Sequence, residues 1–272
     1  MTTQSKPQTS WDFRWRIALL LGLAIAATAV AFSVPRFTDP AWVYNLADHR
    51  EMLGIPNFMD VVSSAPWAAI GFLGLLFVWR SKETGANTPF TEAWERSACV
   101  VLFSALGLVA FGSVYFHLAP SPGTLLWDRL PITIIFMSFL ALTIGERIGM
   151  RAGRLLFWPL LTLGLASVLH WRYTEAMGRG DVRWYLLVQF FPILAIPIML
   201  LLFRARYTRT SGLVIVLGLY ALAKVFELYD ARVLELTKIF SGHTLKHLTG
   251  ALAALWMLRT IRLRRQTSPP PA

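Results

Sequence analysis

The segment SACVVLFSALGLVAFGSVYFH, residues 97–117, contains no Asp, Glu, Lys or Arg. A helix that spans a bilayer needs about 20 mostly apolar residues, and this segment is long enough to provide them. Its last turn carries two polar side chains, Ser113 and His117. The segment therefore predicts a membrane-spanning helix with chemically useful groups at one end.

Seven other segments of similar length and apolarity follow the same pattern. They cover roughly residues 17–34, 58–79, 129–147, 153–171, 184–203, 212–229 and 243–261. The first follows Arg14 and Arg16 but is long for a signal peptide and lacks a clear cleavage site, so we interpret it as a retained helix. Because the segments leave only short loops and two tails, the predicted fold is all-α, a polytopic membrane helix bundle without a separate soluble domain.

The composition of the whole chain supports a membrane protein. Of its 272 residues, 56% are hydrophobic and 15% charged, with a mean hydropathy of +0.53. A soluble domain has about 45–50% apolar and about 25% charged residues, so cytosolic, disordered and coiled-coil classes are excluded. The single cysteine, Cys99, excludes an internal disulfide and any multi-thiolate metal site.

The positive charge gives the expected orientation. The net charge is +11, which in a membrane protein indicates contact with anionic lipids in the cytoplasmic loops rather than with nucleic acid. Of the 24 Lys and Arg residues in loops and tails, 16 lie on the side of the two termini. We therefore expect a cytoplasmic tail over residues 1–16, a cytoplasmic C terminus, and a disordered tail over 263–272.

The clearest chemical pattern is His243-Thr-Leu-Lys-His247 at the start of the last predicted helix. Spacing i, i+4 places both imidazoles on one face of a helix, where they can bind a single metal ion. The alternative is a pair of hydrated histidines at the membrane interface.

Two weaker patterns lie near the same depth. Ser113 precedes His117 by one turn, which also suits a simple helix end. Asp128 opens the next predicted helix, where it can equally be a helix cap paired with Arg129. Taken alone, each pattern is compatible with a functional role and with a purely structural role at a helix end.

The topology brings these patterns together on the non-cytoplasmic side. His117, His243 and His247 then form a set of three imidazoles, the ligand set of a catalytic zinc ion with one open position. Asp128 can exchange a proton with a water molecule there, and Ser113 can donate a hydrogen bond to an oxyanion.

The same residues resemble the alkaline ceramidases, which belong to a superfamily of seven-helix membrane hydrolases that includes the adiponectin receptors. The resemblance is carried by Ser-x-x-x-His at Ser113, by Asp128, and by His-x-x-x-His at His243, and it covers about residues 42–262. The stretches YFHLAP at 115–120 and LWDRLP at 126–131 are most similar to the bacterial branch. It implies a seven-helix domain over 42–262, with 17–34 as one extra N-terminal transmembrane helix.

The resemblance also implies an activity. It is zinc-dependent hydrolysis of a ceramide-like lipid amide, with His117, His243 and His247 as zinc ligands and Asp128 and Ser113 beside the metal water. The family's calcium-binding motif, Glu-Phe-x-Asn-x-x-Ser-Asn, is only partly present here, since Phe58 and Ser63 match it and Asn57, Asp60 and Ser64 depart from it. We expect membrane lipids as partners, and a bacterial inner membrane as the location.

Two other classes of protein remain open from the residues alone. One is a membrane receptor or transporter in which the zinc is structural. The other is a haem protein with histidines as axial ligands, although it leaves the i, i+4 pair, Ser113 and Asp128 without a role.

The charge distribution makes a direct prediction about orientation. A reporter enzyme that is active only outside the cytoplasm, fused after Ala272, should give no activity, because the termini share the more basic side. Activity from that fusion would contradict the predicted topology.

Overall fold

The structure, a computed structural model, describes residues 10–85 and 87–267, and within these ranges the regular structure is helical. This confirms the prediction of an all-α polytopic helix bundle. The helices are α1 (Ser10–Ser33), α2 (Phe58–Val62), α3 (Ala65–Arg80), α4 (Ala93–Leu118), α5 (Pro122–Arg147), α6 (Met150–Ala176), α7 (Arg183–Leu202), α8 (Thr210–Leu228), α9 (Asp230–Thr237) and α10 (Gly242–Leu263).

Seven helical segments among the described residues are long and apolar enough to cross a membrane, with α2 and α3 acting as one of them. They correspond to the first seven predicted segments. The eighth, α10, has 22 residues, so its length suffices, but it also carries Lys246, Arg259 and Arg262. Two of these cations lie in its last turns, where a helix meets the membrane surface, and Lys246 is paired with a carboxylate.

The helices pack around a core of buried apolar side chains. α4 lies against α3 and α5, α5 also contacts α6 and α7, and α10 packs on α8 and α3, whereas α7 and α8 make little contact. α1 packs on α7, where the Arg16 guanidinium donates to the carbonyl of Leu202 at 2.6 Å. The apolar window of α1 is not buried inside the structure, so α1 lies at the edge of the bundle.

The helix boundaries differ from the predicted ones where polar residues begin a helix. α5 begins at Pro122 rather than near 129, because Ser121 and Thr124 form a reciprocal capping box. α1 begins at Ser10, so part of the expected 1–16 tail is helical, and residues 1–9 lie outside the described range.

A buried polar group closes the end of the bundle where α5 meets α6. Arg264 pairs with Glu95 at 3.0 Å and lies over the ring of Tyr207, whose hydroxyl donates to Glu95 at 2.8 Å. The group joins α4, the α7–α8 loop and the segment after α10, three parts of the chain far apart in sequence.

This closure corrects the expected disordered tail over 263–272. Thr208 and Thr267 form backbone hydrogen bonds with Arg265 and Arg206, so residues 264–267 are ordered. The remaining part of that prediction, 268–272, lies outside the described residues.

The opposite end of the bundle, which we call the α4–α5 end, lies at the turn between Leu118 and Pro122. α3, α5, α7 and α10 begin there, and α1, α4, α6 and α8 end there. The close approach of α4 to α5 depends on Gly112, since a Cβ at this position would lie 2.1 Å from the carbonyl oxygen of Trp127 and 3.0 Å from the nitrogen of Asp128. Gly112 thereby fixes how near Asp128 comes to the last turn of α4.

We predict that Gly112→Ala lowers the free energy of unfolding by about 1–3 kcal/mol, because the added methyl group forces α4 and α5 apart. Gly107→Ala on the same helix is the control, since a Cβ there meets nothing within 4 Å. Unfolding of the detergent-solubilised protein with SDS measures both. Equal stability of the two variants would show that the close approach does not matter.

Candidate metal centre

Three histidines converge at the α4–α5 end. His117 lies in the last turn of α4, and His243 and His247 lie in the first two turns of α10. Their relative exposures are 1%, 8% and 7%, and their ring centroids are 4.8–4.9 Å apart in every pairing. This geometry confirms the predicted convergence of His117 and His243, which are 126 residues apart in the sequence.

The distances between the ring nitrogens suit a metal ion. One ligand nitrogen from each histidine lies within 4.8 Å of the others, and Nε2 of His117 is 3.3 Å from Nε2 of His247. Two nitrogens bound tetrahedrally to zinc at about 2.0–2.1 Å are themselves about 3.3–3.4 Å apart. The His117–His247 pair already has the spacing of two such ligands.

Two ring nitrogens of this group have no hydrogen-bond partner among the described residues. They are Nε2 of His243 and Nδ1 of His117, and both are buried. A buried polar atom without a partner lowers the stability of the fold by about 1–3 kcal/mol. A metal ion bound to the lone pair of such a nitrogen would recover part of that free energy. The three residues therefore fit a metal ion, and imidazole ligands are compatible with zinc, copper, nickel or iron.

Hydroxyl groups from the segment before α3 orient His247. Its Nδ1 lies 2.9 Å from Oγ of Ser63, and the Ser63 hydroxyl donates to the carbonyl of Asp60. Since that hydroxyl hydrogen points away, the serine oxygen accepts from an N–H at Nδ1. This arrangement leaves the lone pair of Nε2 free to face the other two histidines.

Two carboxylates fix the beginning of α10. One carboxylate oxygen of Asp60 accepts from the hydroxyls of Thr244 at 2.6 Å and Ser241 at 3.3 Å. Asp230 accepts from the backbone N–H of His243 at 2.7 Å and from that of Ala47 at 2.9 Å. Acidic groups are favourable at a helix N-terminus, so these contacts set both the position and the direction of the His243–His247 face.

The last turn of α4 is held in a similar way. The Asn57 side chain donates to the backbone carbonyl of His117 at 2.7 Å. Asn57 has a φ of 47°, a left-handed conformation that asparagine tolerates better than most residues. The segment before α3 thus contacts both helices that supply the histidines.

Ser113 is buried one turn before His117. Its oxygen accepts a hydrogen bond from Ser64 at 2.9 Å, which leaves its own hydrogen available for another acceptor. The structure therefore brings Ser113 to the same end as the histidines, linked to the segment that orients His247.

Asp128 lies in the second turn of α5, beside the backbone of Gly112. The helix-cap interpretation is wrong, because Ser121 caps α5 and Arg129 pairs with Asp39 at 2.6 Å. Within the described part of the chain the Asp128 carboxylate has no hydrogen bond or ion pair, and the metal-binding group does not include it. Its role stays a prediction.

Arg129 holds this part of α5 in place. Its guanidinium lies 4.2 Å from the Trp171 ring and 4.3 Å from the Tyr185 ring, while both its terminal nitrogens contact Asp39. The planar group is thus fixed on three sides, which restricts the rotation of α5 and with it the position of Asp128.

Asp48, an acidic residue near the segment that partly matches the calcium-binding motif, is bonded to Arg50. Asp48 accepts two hydrogen bonds from the Arg50 side chain and one from its backbone. Burial opposes the charge of Asp48, but these bonds hold the pKa of its carboxyl below the usual value. Across residues 10–85 and 87–267, the three histidines are the one group of three or more His, Cys, Asp or Glu side chains placed to hold a metal ion.

The sequence alone did not identify several residues that shape the centre. Asp60, Ser63 and Ser64 are three and four residues apart, the spacing of one helical face, and that pattern was available as a signal. Lys224, Glu227 and Asp230 are three residues apart, a spacing that suits local ion pairs on a helix. Lys224 and Glu227 form such a pair, whereas Asp230 accepts from the backbone N–H groups of Ala47 and His243.

Replacing His243 or His247 by Ala should remove bound zinc from the purified protein, because two imidazoles form a weak site. The affinity for zinc should fall by more than the roughly 10–100-fold that follows replacement of a residue hydrogen-bonded to a metal ligand. Elemental analysis of zinc per chain measures it, with the exposed His49→Ala as control. Full zinc content in either variant would show that the ligand assignment is wrong.

Comparisons with known proteins add no assignment. The chain matches no protein-family model, and a search of curated proteins finds no match. The helix bundle with its buried three-histidine group therefore stands on its own geometry.

Proposed function

We propose that the protein is a zinc-dependent membrane amidohydrolase. Its substrate is ceramide or a related lipid amide, and its products are a fatty acid and a sphingoid-type amine. The observation that carries the proposal is the buried group of His117, His243 and His247 at an end of the bundle that also holds Ser113 and the unpaired Asp128.

The number of protein ligands favours a reactive site over a structural one. Structural zinc ions have four protein ligands, whereas catalytic ones have three and an open position. A zinc ion held by the three imidazoles would supply a nucleophile at neutral pH, since it lowers the pKa of a bound water to about 7. Haem is a poorer fit, because axial ligands approach from opposite faces of a ring and these imidazoles converge on one point.

Asp128 is suited to moving the proton. Amide hydrolysis adds water to the carbonyl carbon and breaks the C–N bond, so a proton must leave the water and reach the departing amine. A carboxylate without an ion-pair partner can accept that proton at Oδ and return it. Gly112 allows α5 to bring Asp128 next to the helix that ends in His117.

Ser113 is suited to stabilising the charge that forms on the carbonyl oxygen. Because it already accepts from Ser64, its own hydrogen can be donated to that oxygen. A fixed donor in a buried site stabilises an oxyanion more than water does, since it needs no reorganisation.

The surroundings suit a lipid. The centre lies inside a bundle of apolar helices, and an acyl chain would enter from the bilayer between α7 and α8, which make little contact. The resemblance of Ser113, His117, Asp128, His243 and His247 to the alkaline ceramidase pattern supports the same substrate class. We place the protein in a bacterial inner membrane, with the termini in the cytoplasm and the site towards the other side.

The activity can be tested on the purified protein with ceramide in detergent micelles. We expect one zinc per chain and release of free fatty acid, measured by mass spectrometry, with chelation stopping the release. Zinc without any product from lipid amides would instead favour a receptor or transporter with a structural zinc ion.

Asp128→Asn should keep its zinc and lose about 10²–10⁴-fold in turnover, because the amide can hydrogen-bond but cannot accept a proton. Ser113→Ala should lose about 10²–10³-fold if its hydroxyl stabilises the oxyanion. Fatty acid release and zinc content are measured on both, with Glu235→Gln on the exposed face of α9 as control.

Two outcomes would contradict this assignment of roles. Loss of zinc in Asp128→Asn would make Asp128 a direct ligand, so another group must take the proton. Near-normal turnover in that variant would mean that Asp128 has no part in the reaction.

A further inference from the structure

Two lysines and one glutamate form a cluster between α8 and α10. Glu227 accepts from Nζ of Lys224 at 2.5 Å and from Nζ of Lys246 at 2.9 Å. The side-chain exposures are 30% for Lys224, 17% for Glu227 and 22% for Lys246. Charged groups in membrane-embedded helices are expensive, so a cluster of three is a candidate binding site.

The cluster lies beside the metal centre. Lys246 lies between His243 and His247 in the first two turns of α10. Lys224 and Glu227 lie in the last two turns of α8, which ends at the same end of the bundle. The cluster and the three histidines therefore share the α4–α5 end.

The cluster carries more positive charge and more donors than it uses internally. Each ammonium group has three N–H donors, and among residues 10–85 and 87–267 each gives one hydrogen bond, to Glu227. Two cations share one carboxylate, which leaves an excess of one positive charge. Lys224 also lies 5.7 Å from the ring of Phe190 on α7, so it stands at the sparse contact between α7 and α8.

A structural role for the second cation is less consistent with these contacts. If Lys224 or Lys246 served to neutralise Asp128, an ion pair between them is expected. In the described part of the chain, both lysines make their ion pairs with Glu227, and Asp128 has none. Asp128 therefore does not take up the excess positive charge of the cluster.

We propose that Lys224 and Lys246 bind the anionic group, a phosphate or carboxylate, on the head of the lipid amide. This inference rests on the proposed function and adds that lipid amides with an acidic head are preferred over uncharged ones such as ceramide. The anion supplies the acceptors for the unused N–H donors and balances the excess charge, and charge-assisted hydrogen bonds of this kind are among the strongest.

Binding measured without hydrolysis tests the proposal separately from the activity. The probes are dodecyl phosphate, dodecanoate and dodecanol, added to the purified full chain in uncharged detergent and followed by native mass spectrometry. We expect both anions to bind at least about tenfold tighter than the alcohol, since one charged hydrogen bond suffices for that factor.

Variants of Lys224 and Glu227 test whether the cluster causes the preference for anionic over uncharged probes. Lys224→Gln keeps the Glu227–Lys246 pair and should reduce the preference for dodecyl phosphate over dodecanol about tenfold. Lys224→Arg should keep it, and Glu227→Gln should increase it because the internal carboxylate is gone. Arg232→Gln is the matched control, since Arg232 and Glu235 form an exposed pair with the same i, i+3 spacing.

Each alternative has its own result. A preference that is absent, or unchanged in Lys224→Gln, overturns the proposal, and so does one that disappears when a chelator strips the metal. Displacement of dodecyl phosphate by equimolar inorganic phosphate would assign the site to a free anion instead of a lipid. A preference that persists while no lipid amide is hydrolysed would overturn the proposed function and leave the anion site intact.

Discussion

The candidate metal centre depends on how the beginning of α10 is held. Ser241 caps the helix by accepting from the backbone N–H of Thr244, and Asp60 accepts from the hydroxyls of both residues. Asp230 accepts from the backbone N–H of His243, a group that would otherwise lack a partner at a helix N-terminus in a membrane protein. The contacts that stabilise the helix end also place His243 and His247 towards His117.

The segment before α3 makes several of the hydrogen bonds that organise the α4–α5 end. The segment before α3 contacts His117 through Asn57, His247 through Ser63, and Ser113 through Ser64. These are short polar side chains around one buried point, and they join helices that are distant in sequence. A single short segment therefore sets the geometry of three functional groups, which makes it as important to the site as the ligands themselves.

The sequence predicted the parts of this molecule that follow from periodicity and spacing. Apolar segments of about 20 residues predict the helices, and the i, i+4 histidines predict a shared face. Alternation of the helices across the membrane then predicts that His117 and His243 lie at one end, as they do.

Such patterns do not predict polar contacts between residues that are far apart in the sequence. The sequence around Asp128 also suits a helix cap, but Ser121 and Thr124 begin α5 two turns earlier. Asp230 and Asp60 look like ordinary helix-end acids until the fold brings α10 to them. The ordered 264–267 segment likewise depends on pairing with residues 206–208, which no local pattern indicates.

The proposal that three imidazoles bind one zinc ion at the α4–α5 end can be measured on the purified wild-type protein by X-ray absorption at the zinc edge, because the spectrum reports ligand type and distance. We expect one zinc per chain with three imidazole nitrogens at about 2.0–2.1 Å and one oxygen ligand from solvent. A zinc-free protein, or a spectrum with fewer than three imidazole ligands, would contradict it.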